Sequence, residues 1–250
     1  MTIEIHHFAA ADGTELAWHE TGEGPPVVLL HGLFSNARTN WIRFGHAAEI
    51  SGRGFRVIMP DLRAHGESGK PHDPACYPPD ILADDGLALI ARLGLEDYDL
   101  GGYSLGARTA VRMVVKGARP TRLIVGGMGL AGLNDTGRRA EHFKTILTGL
   151  GTHARGSPEW MAEAFLKTTG GDPGALLPLL DSFVDTSEEM LRSISMPTLV
   201  LSGADDHDNG SPQALAELLP RGEYVEVPGN HMSAVTRPDL GVAIADFLAR

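Results

Sequence analysis

The feature that most constrains the fold of this chain is a set of short apolar runs that are hydrophobic on both faces. They are Val27–Leu30, Phe55–Met59, the residues that end at Leu100, Leu123–Val125, Leu199–Leu201 and Tyr224–Val227. Such runs are typical of strands buried in a mostly parallel sheet. Helical patterns separate them, over residues 41–50, 80–93, 105–116, 212–219 and 233–249. This alternation predicts an α/β fold with helices on both faces of the sheet.

Two segments depart from the alternation. Residues 2–8 and 14–20 are predicted to form a hairpin that turns at Asp12-Gly13. Between residues 129 and 196 only helices are predicted, over residues 136–150, 158–168, 174–185 and 187–194. We therefore expect a core domain of residues 1–130 and 197–250, and a helical cap of residues 131–196 that acts as a lid. The alternative is a plain extension of the fold.

The string Gly102-Tyr103-Ser104-Leu105-Gly106 fits the pattern G-x-S-x-G. In this nucleophile elbow, a serine stands on a sharp turn between a strand and a helix. The glycines are needed because a Cβ there would collide with a neighbouring strand or helix. The surrounding pattern agrees, since an apolar run precedes Ser104 and a helical pattern follows it. Ser104 is therefore the predicted nucleophile, at a helix N-terminus that favours developing negative charge.

A serine nucleophile needs a base, and histidine is the usual one. Of the chain's 11 histidines, His231 in VPGNHMSAV follows an apolar run and precedes the last helix. This placement puts it at the same sheet edge as Ser104. The segment LSGADDHDNG offers Asp205, Asp206 and Asp208 as the acid that orients the base. The order serine, acid, histidine is the one expected for this triad. The irregular acidic spacing disfavours a metal site.

Two backbone N–H groups are expected to stabilise the oxyanion of a tetrahedral intermediate. One belongs to Leu105, which follows the nucleophile, and the other to Leu33, in the loop that begins at His31-Gly32. Apolar side chains of the cap, and two residues beside the elbow and the loop, are predicted to bind the substrate. These substrate-binding residues are Phe34, Tyr103, Phe143, Leu147 and Trp160.

Taken together, these segments resemble the α/β-hydrolase superfamily. The matching pieces are VVLLHGLFSN, VIMPDLRAHGESGKP, LGGYSLGARTA, PTLVLSGADD and VPGNHMSAV, which occur in family order across nearly the whole chain. The chain looks most like the small esterase, lactonase and cofactor-free haloperoxidase-like branch with a short helical cap. The resemblance implies an eight-stranded sheet with one antiparallel strand near the start and the cap after strand 6. It also selects Asp206 as the acid, and gives Arg63, His65 and Ser68 mainly structural roles.

The composition and charge of the chain limit the classes of partner that it is expected to bind. Lys and Arg total 21 against 32 for Asp and Glu, and the formal charge of −11 disfavours nucleic acid as a partner. No apolar stretch approaches the roughly 18 residues of a membrane span, and no secretory signal is recognised, so a cytoplasmic location is expected. Cys76 is the single cysteine and cannot form an internal disulfide. We expect a small-molecule substrate, no cofactor and no metal.

The function predicted from the sequence is hydrolysis of a small, hydrophobic carboxylic ester, thioester or lactone through an acyl-enzyme on Ser104. Two alternatives stay open. A perhydrolase or acyltransferase would use the same triad with a different acceptor, and a small-ligand receptor of the same fold would bind without turnover.

Overall fold

The computed structural model describes residues 2–250; residue 1, which the predicted core domain 1–130 includes, lies outside the described residues. Eight strands form one sheet in the order β1-β2-β4-β3-β5-β6-β7-β8. The strands are β1 Glu4–Ala9, β2 Glu15–Thr21, β3 Pro26–Leu30, β4 Arg56–Pro60, β5 Asp99–Tyr103, β6 Leu123–Gly126, β7 Thr198–Gly203 and β8 Gly222–Val227. β2 runs antiparallel to β1 and β4, and all other neighbours are parallel. The predicted eight-stranded, mostly parallel sheet is confirmed.

The central strands are apolar on both faces because each face packs against its own layer of helices. In β3, Val28 and Leu30 belong to one buried cluster, and Val27 and Leu29 belong to a second cluster on the opposite face. The period of two is the normal alternation of side chains along a strand. The parallel pairing of Val28 with Leu100 in β5 brings the end of β3 beside the end of β5.

Ten α-helices surround the sheet within residues 2–250. They are α1 His46–Gly52, α2 Ile81–Leu93, α3 Leu105–Val115, α4 Leu130–Asn134, α5 Thr136–Thr148, α6 Pro158–Thr169, α7 Pro173–Leu180, α8 Glu188–Arg192, α9 Pro212–Leu218 and α10 Pro238–Leu248. The buried side chains of α2 and α3 join the first cluster, and those of α1 and α10 join the second. Across residues 2–250, no helix combines the length and the apolar composition needed to cross a bilayer.

Two of the predicted helices are divided. The segment 41–50 contains the end of a π-helical turn, Arg38–Ile42, and then the start of α1. The segment 233–249 contains a short 3-10 turn, Ala234–Thr236, before α10. The second break lies at Pro238, which has no N–H to donate and therefore suits the first turn of a helix rather than its interior.

Only helices occur between β6 and β7 in the described chain. This segment holds α4 to α8 and contains residues 131–196, for which a separate cap stays a prediction. The short helix α4 was not anticipated. Arg112 of α3 anchors the segment, because its guanidinium donates to the Asp185 carbonyl at 3.2 Å and pairs with Asp80.

Candidate active site

Ser104 stands at the turn where β5 passes into α3. Its φ of 54° and ψ of −114° place a non-glycine residue in a strained region of backbone space. The turn is possible because Gly102 and Gly106, two residues to either side of Ser104, lack side chains. A Cβ on Gly102 would lie 2.7 Å from the Ala107 nitrogen, and one on Gly106 would lie 2.7 Å from the His31 carbonyl oxygen. The sheet therefore presents the Ser104 hydroxyl at the carboxyl edge of its strands, partly exposed.

His231 reaches Ser104 from the loop that follows β8. The two residues are 127 positions apart in the chain, yet Ser104 Oγ and His231 Nε2 are 3.0 Å apart. Asn230 shapes this loop, since its side-chain oxygen accepts N–H bonds from Met232 and Ser233 at 3.1 and 2.9 Å. The turn leaves the His231 side chain only 12% exposed.

Asp206, rather than Asp205, orients the histidine. The Nδ1–H of His231 donates to Asp206 Oδ2 at 2.9 Å, which leaves Nε2 free to accept the proton of Ser104. Asp205 lies exposed, whereas Asp206 is 7% exposed. Burial raises the pKa of Asp206, but the hydrogen bond and charge of His231, with smaller contributions from the Asp208 N–H and Arg139, bring it below its ordinary value. The carboxyl group is therefore ionised at neutral pH.

The loop after β3 presents one of the two predicted oxyanion donors. Residues 32–35 form a tight turn in which the Ser35 N–H donates to the Gly32 carbonyl at 3.2 Å. The turn abuts Ser104, because a Cβ on Gly32 would lie 3.5 Å from the Ser104 Cβ. Within residues 2–250, neither the Leu33 N–H nor the Leu105 N–H donates to a protein acceptor. Two unpaired donors on either side of a serine are the arrangement that an oxyanion needs.

Buried histidine and aspartate side chains hold this loop. His31 Nε2 accepts the Leu62 N–H at 2.9 Å, and Asp61 Oδ1 accepts the Ala37 N–H at 2.7 Å. His65 Nε2 accepts the N–H of Phe34, whose φ of 61° is unusual for a bulky residue. Burial and the charge of His31 lower the pKa of His65 to about 3, so its ring is neutral and able to accept. These residues position the loop without touching Ser104.

The predicted substrate-binding residues fall into different environments. Phe34 is buried, and its ring meets that of Phe143 edge to face at 5.4 Å between centroids. Leu147 is buried in the same apolar cluster as Phe34. Trp160 is 38% exposed on α6 and lies outside that cluster. Tyr103 packs in the second cluster, on the other face of the sheet.

Tyr103 contacts the loop that carries His231. Its hydroxyl donates to the His231 carbonyl oxygen at 2.8 Å, and the two rings are 5.3 Å apart. Burial, followed by the charges of Asp206 and Asp208, raises the pKa of Tyr103 well above its usual value, so the hydroxyl keeps its proton and stays a donor. The structure therefore points to support of the His231 loop, rather than contact with substrate, for the Tyr103 side chain.

One group of potential metal ligands coincides with the triad. Ligand atoms of Asp206, Asp208 and His231 lie within 4.8 Å of one another. Both ring nitrogens of His231 are already engaged, one with Asp206 and the other with Ser104. A cation bound by these three residues would have to displace one of these hydrogen bonds.

Several residues that shape this site are not among those predicted from the sequence. Asn40 accepts the Gly32 N–H at 3.0 Å, and the Thr169 hydroxyl donates to the Phe34 carbonyl at 2.6 Å, which ties α6 to the loop. For these two residues the sequence carries no signal, because each contact depends on packing between distant segments. Asp61 could be predicted from the sequence, since it follows β4 directly at the sheet edge where the site forms.

Comparison with known proteins places this geometry in a family. Over 122 residues, the chain is 34% identical to the AB hydrolase superfamily protein YisY of Bacillus subtilis, covering 48% of this chain and 44% of that protein. It is 36% identical over 112 residues to a non-heme haloperoxidase of Rhodococcus erythropolis, covering 43% and 37%. The chain thus matches less than half the length of these two curated relatives.

The structure also superposes on solved folds over nearly its full length. A thermophilic esterase from Thermogutta terrifontis matches with a TM-score of 0.76 and 25% identity, covering 98% of each chain. The family model of the alpha/beta hydrolase family matches residues 27–244, which include the elbow, the acid and the histidine. The predicted resemblance is confirmed, and the chain belongs to the alpha/beta hydrolase family.

Proposed function

We propose that this protein is a serine hydrolase that cleaves carboxylic esters, thioesters or lactones through an acyl-enzyme on Ser104. The observation that carries the proposal is the continuous hydrogen-bonded chain from Ser104 through His231 to Asp206, with distances of 3.0 and 2.9 Å. The similarity to a superfamily that includes esterases supports the reaction class. We propose Ser104, His231 and Asp206 as the catalytic residues.

The geometry suggests how each group acts. His231 Nε2 removes the hydroxyl proton as Ser104 Oγ attacks the carbonyl carbon, and the ionised Asp206 stabilises the resulting imidazolium. The N–H groups of Leu33 and Leu105 donate to the oxyanion. The imidazolium then protonates the leaving oxygen or sulfur, which departs. Water then attacks the acyl-enzyme carbonyl and gives a proton to His231 Nε2. The second tetrahedral intermediate collapses, the imidazolium returns this proton to Ser104 Oγ, and the acid is released.

We further propose that residues 131–196 form a lid over this site. Two contacts support a cap that covers the oxyanion loop: the Thr169 hydroxyl donates to the Phe34 carbonyl, and the Phe143 ring packs on the Phe34 ring. A lid that excludes water strengthens the electrostatic interactions of the site. Phe34, Phe143 and Leu147 supply apolar surface for the substrate, while the exposed Trp160 contributes only if α6 moves.

The experiment that tests the proposal is covalent labelling of the intact protein with a fluorophosphonate, followed by peptide mapping. We expect one adduct, on Ser104, and we expect none in Ser104→Ala or His231→Ala. Ser193→Ala is the matched control, because Ser193 is an exposed serine of the cap, and it should label like the wild type. Absence of an adduct, or an adduct on another serine, would contradict the proposal and favour a ligand receptor.

A second candidate is transfer of the acyl group to peroxide or an alcohol. The similarity to the non-heme haloperoxidase of Rhodococcus erythropolis favours it. Both functions share the acyl-enzyme and differ in the acceptor that reaches it. Product analysis with water, hydrogen peroxide and ethanol in competition distinguishes the two functions. A peracid or ethyl ester as the main product would favour acyl transfer over hydrolysis.

A further inference from the structure

Two arginines beside the triad lack the acidic partner that other enclosed arginines have. Within residues 2–250, the arginines that are not exposed are Arg56, Arg63, Arg108, Arg112, Arg122 and Arg139. Four of them form ion pairs: Arg56 with Glu20, Arg63 with Asp12 and Asp85, Arg112 with Asp80, and Arg122 with Asp99. Arg108 and Arg139 form none in this part of the chain.

Arg108 carries its charge into the interior. The residue is 6% exposed, and its Nε–H donates to the Gly132 carbonyl at 3.1 Å. Its guanidinium lies 4.9 Å from the centre of the Phe183 ring. Neither contact neutralises the charge, and an unpaired charge away from water is costly. A small cavity, lined by Arg108, Leu105, Thr109 and Phe183 among others, lies beside it.

Arg139 lies on the face of α5 that turns inward. It precedes Phe143 by one helical turn, and Ile146 and Leu147 continue the same buried stripe. The guanidinium stacks 5.0 Å from the centre of the Phe143 ring, while its Nε is shielded from solvent and has no hydrogen-bond partner. Its neighbour Arg138 differs, since it is exposed and pairs with Asp135 at 3.0 Å.

Arg139 is close enough to Arg108 for its charge to act on that residue. Burial, followed by the charge of Arg139, lowers the pKa of Arg108 to about 10, although the charge of Asp185 opposes the shift. Burial and the charge of Arg138 also lower the pKa of Arg139, although the charges of Asp208 and Asp206 oppose the shift. Neither arginine forms an ion pair within residues 2–250, although the carboxylates of Asp185, Asp206 and Asp208 act on them from a longer distance.

Contacts connect both arginines to the segments that hold the reacting groups. Arg108 lies one turn along α3 from the elbow, and its backbone N–H donates to the Ser104 carbonyl at 3.0 Å. On the cap side, Arg139 stacks on Phe143, which in turn packs on Phe34 of the oxyanion loop. Arg108 is thus linked to Ser104 through the backbone of α3, and Arg139 is linked to the oxyanion loop through the rings of Phe143 and Phe34.

We propose that Arg139, assisted by the charge of Arg108, binds a free carboxylate of the substrate, so that the substrate is an ester, thioester or lactone bearing a second, ionised acid group. The inference rests on the proposed function. A guanidinium matches the planar geometry of a carboxylate and donates two parallel hydrogen bonds to it. It also revises the expectation of a wholly hydrophobic substrate, since Phe34, Phe143 and Leu147 would then line only the apolar part of the pocket.

The test compares two esters that differ in one group: the 4-nitrophenyl monoester of glutaric acid and 4-nitrophenyl pentanoate, in which a methyl replaces the carboxylate. We expect the wild type to favour the acid ester in kcat/KM by about tenfold or more, because a charged hydrogen bond contributes this much to binding. Arg139→Gln should lower kcat/KM for the acid ester about 10- to 100-fold, through a lower kcat as well as a higher KM. The pentanoate should change less than about threefold.

Three further variants make the result specific. Arg138→Gln is the matched control on the same helix and should keep the preference of the wild type. Arg139→Lys and Arg108→Lys retain a positive charge without the planar fork, and each should keep part of the preference. Thermal melts confirm that the variants are folded.

The outcomes separate the two proposals. If Ser104 takes up the fluorophosphonate but the wild type shows no preference for the acid ester, the carboxylate site is overturned and the proposed function stands. Equal losses on both esters in Arg139→Gln would also overturn it, and would assign Arg139 to bracing the cap. If Ser104 is not labelled and neither ester is hydrolysed, the proposed function fails and the inference that rests on it fails too.

Discussion

Gly106 is the position at which a single methyl group should damage both stability and reactivity. In Gly106→Ala the new Cβ would lie 2.7 Å from the His31 carbonyl oxygen and closer still to the carbonyl of Leu30. All of these atoms are backbone at the end of β3, so no side chain can rotate away. Relief of the clash requires α3 and β3 to separate.

The energetic effect follows from two opposed contributions. Overpacking against rigid neighbours costs about 3 kcal/mol. Alanine favours a helix over glycine by about 1 kcal/mol, which offsets part of that cost. The net loss of about 2 kcal/mol should lower Tm by about 4–8 °C for a chain of this size. The separation also moves Ser104 away from the Leu33 N–H, and a displacement near 1 Å lowers catalytic rates by about 100-fold.

The assay pairs thermal melts with the rate of fluorophosphonate labelling. Gly137→Ala is the matched control, because Gly137 lies in α5 and a Cβ there meets nothing within 4 Å. That variant should keep the labelling rate and gain about 0.4–1 kcal/mol of stability. A Gly106→Ala protein that melts and labels like the wild type would refute the reasoning from backbone contact.

Two more predictions concern the acid and the loop. Asp206→Asn should lower the labelling rate by roughly 10⁴-fold with an unchanged circular dichroism spectrum, because the asparagine cannot hold His231 in the productive tautomer; labelling at the rate of the wild type would remove Asp206 from the triad. The pKa of His65 is about 3 in the folded chain against an ordinary 6.5, so its neutral form stabilises the fold above pH 6.5, and that stability is lost as pH falls from 6.5 towards 3. Denaturant melts at several pH values in that range give the free energy of unfolding as a function of pH. This free energy should change with pH by about 1.4 kcal/mol per pH unit less in His65→Gln than in the wild type, and an equal pH dependence in the two proteins would contradict this assignment.

The parts of the site that the sequence predicts are those encoded by local spacing. Gly102, Ser104 and Gly106 lie within five residues, so the steric demands of the elbow are visible in the string itself. His231 and Asp206 are far from Ser104 in sequence, but each follows an apolar run. Because the carboxyl ends of parallel strands meet at one edge, their convergence could be predicted from the fold class.

The parts that the sequence does not predict depend on how helices face one another. Arg138 and Arg139 are identical neighbours in the sequence, and only the rotation of α5 about its axis exposes one and encloses the other. Trp160 was expected in the pocket as a large aromatic residue of the cap. Instead, α6 turns Glu163 and Leu166 inward and leaves Trp160 exposed.

Phe34 joins the chemistry of the core to the recognition of substrate by the cap. Its N–H is held by His65 from the core, and its carbonyl is held by the Thr169 hydroxyl at 2.6 Å from α6. Its ring contacts Phe143, on which Arg139 stacks. The backbone of Phe34 directly follows the Leu33 N–H, so a substrate that orders α5 through Arg139 would also fix the proposed oxyanion donor. Binding energy gained at a remote carboxylate would then be used to position the reacting groups, which raises kcat as well as lowering KM.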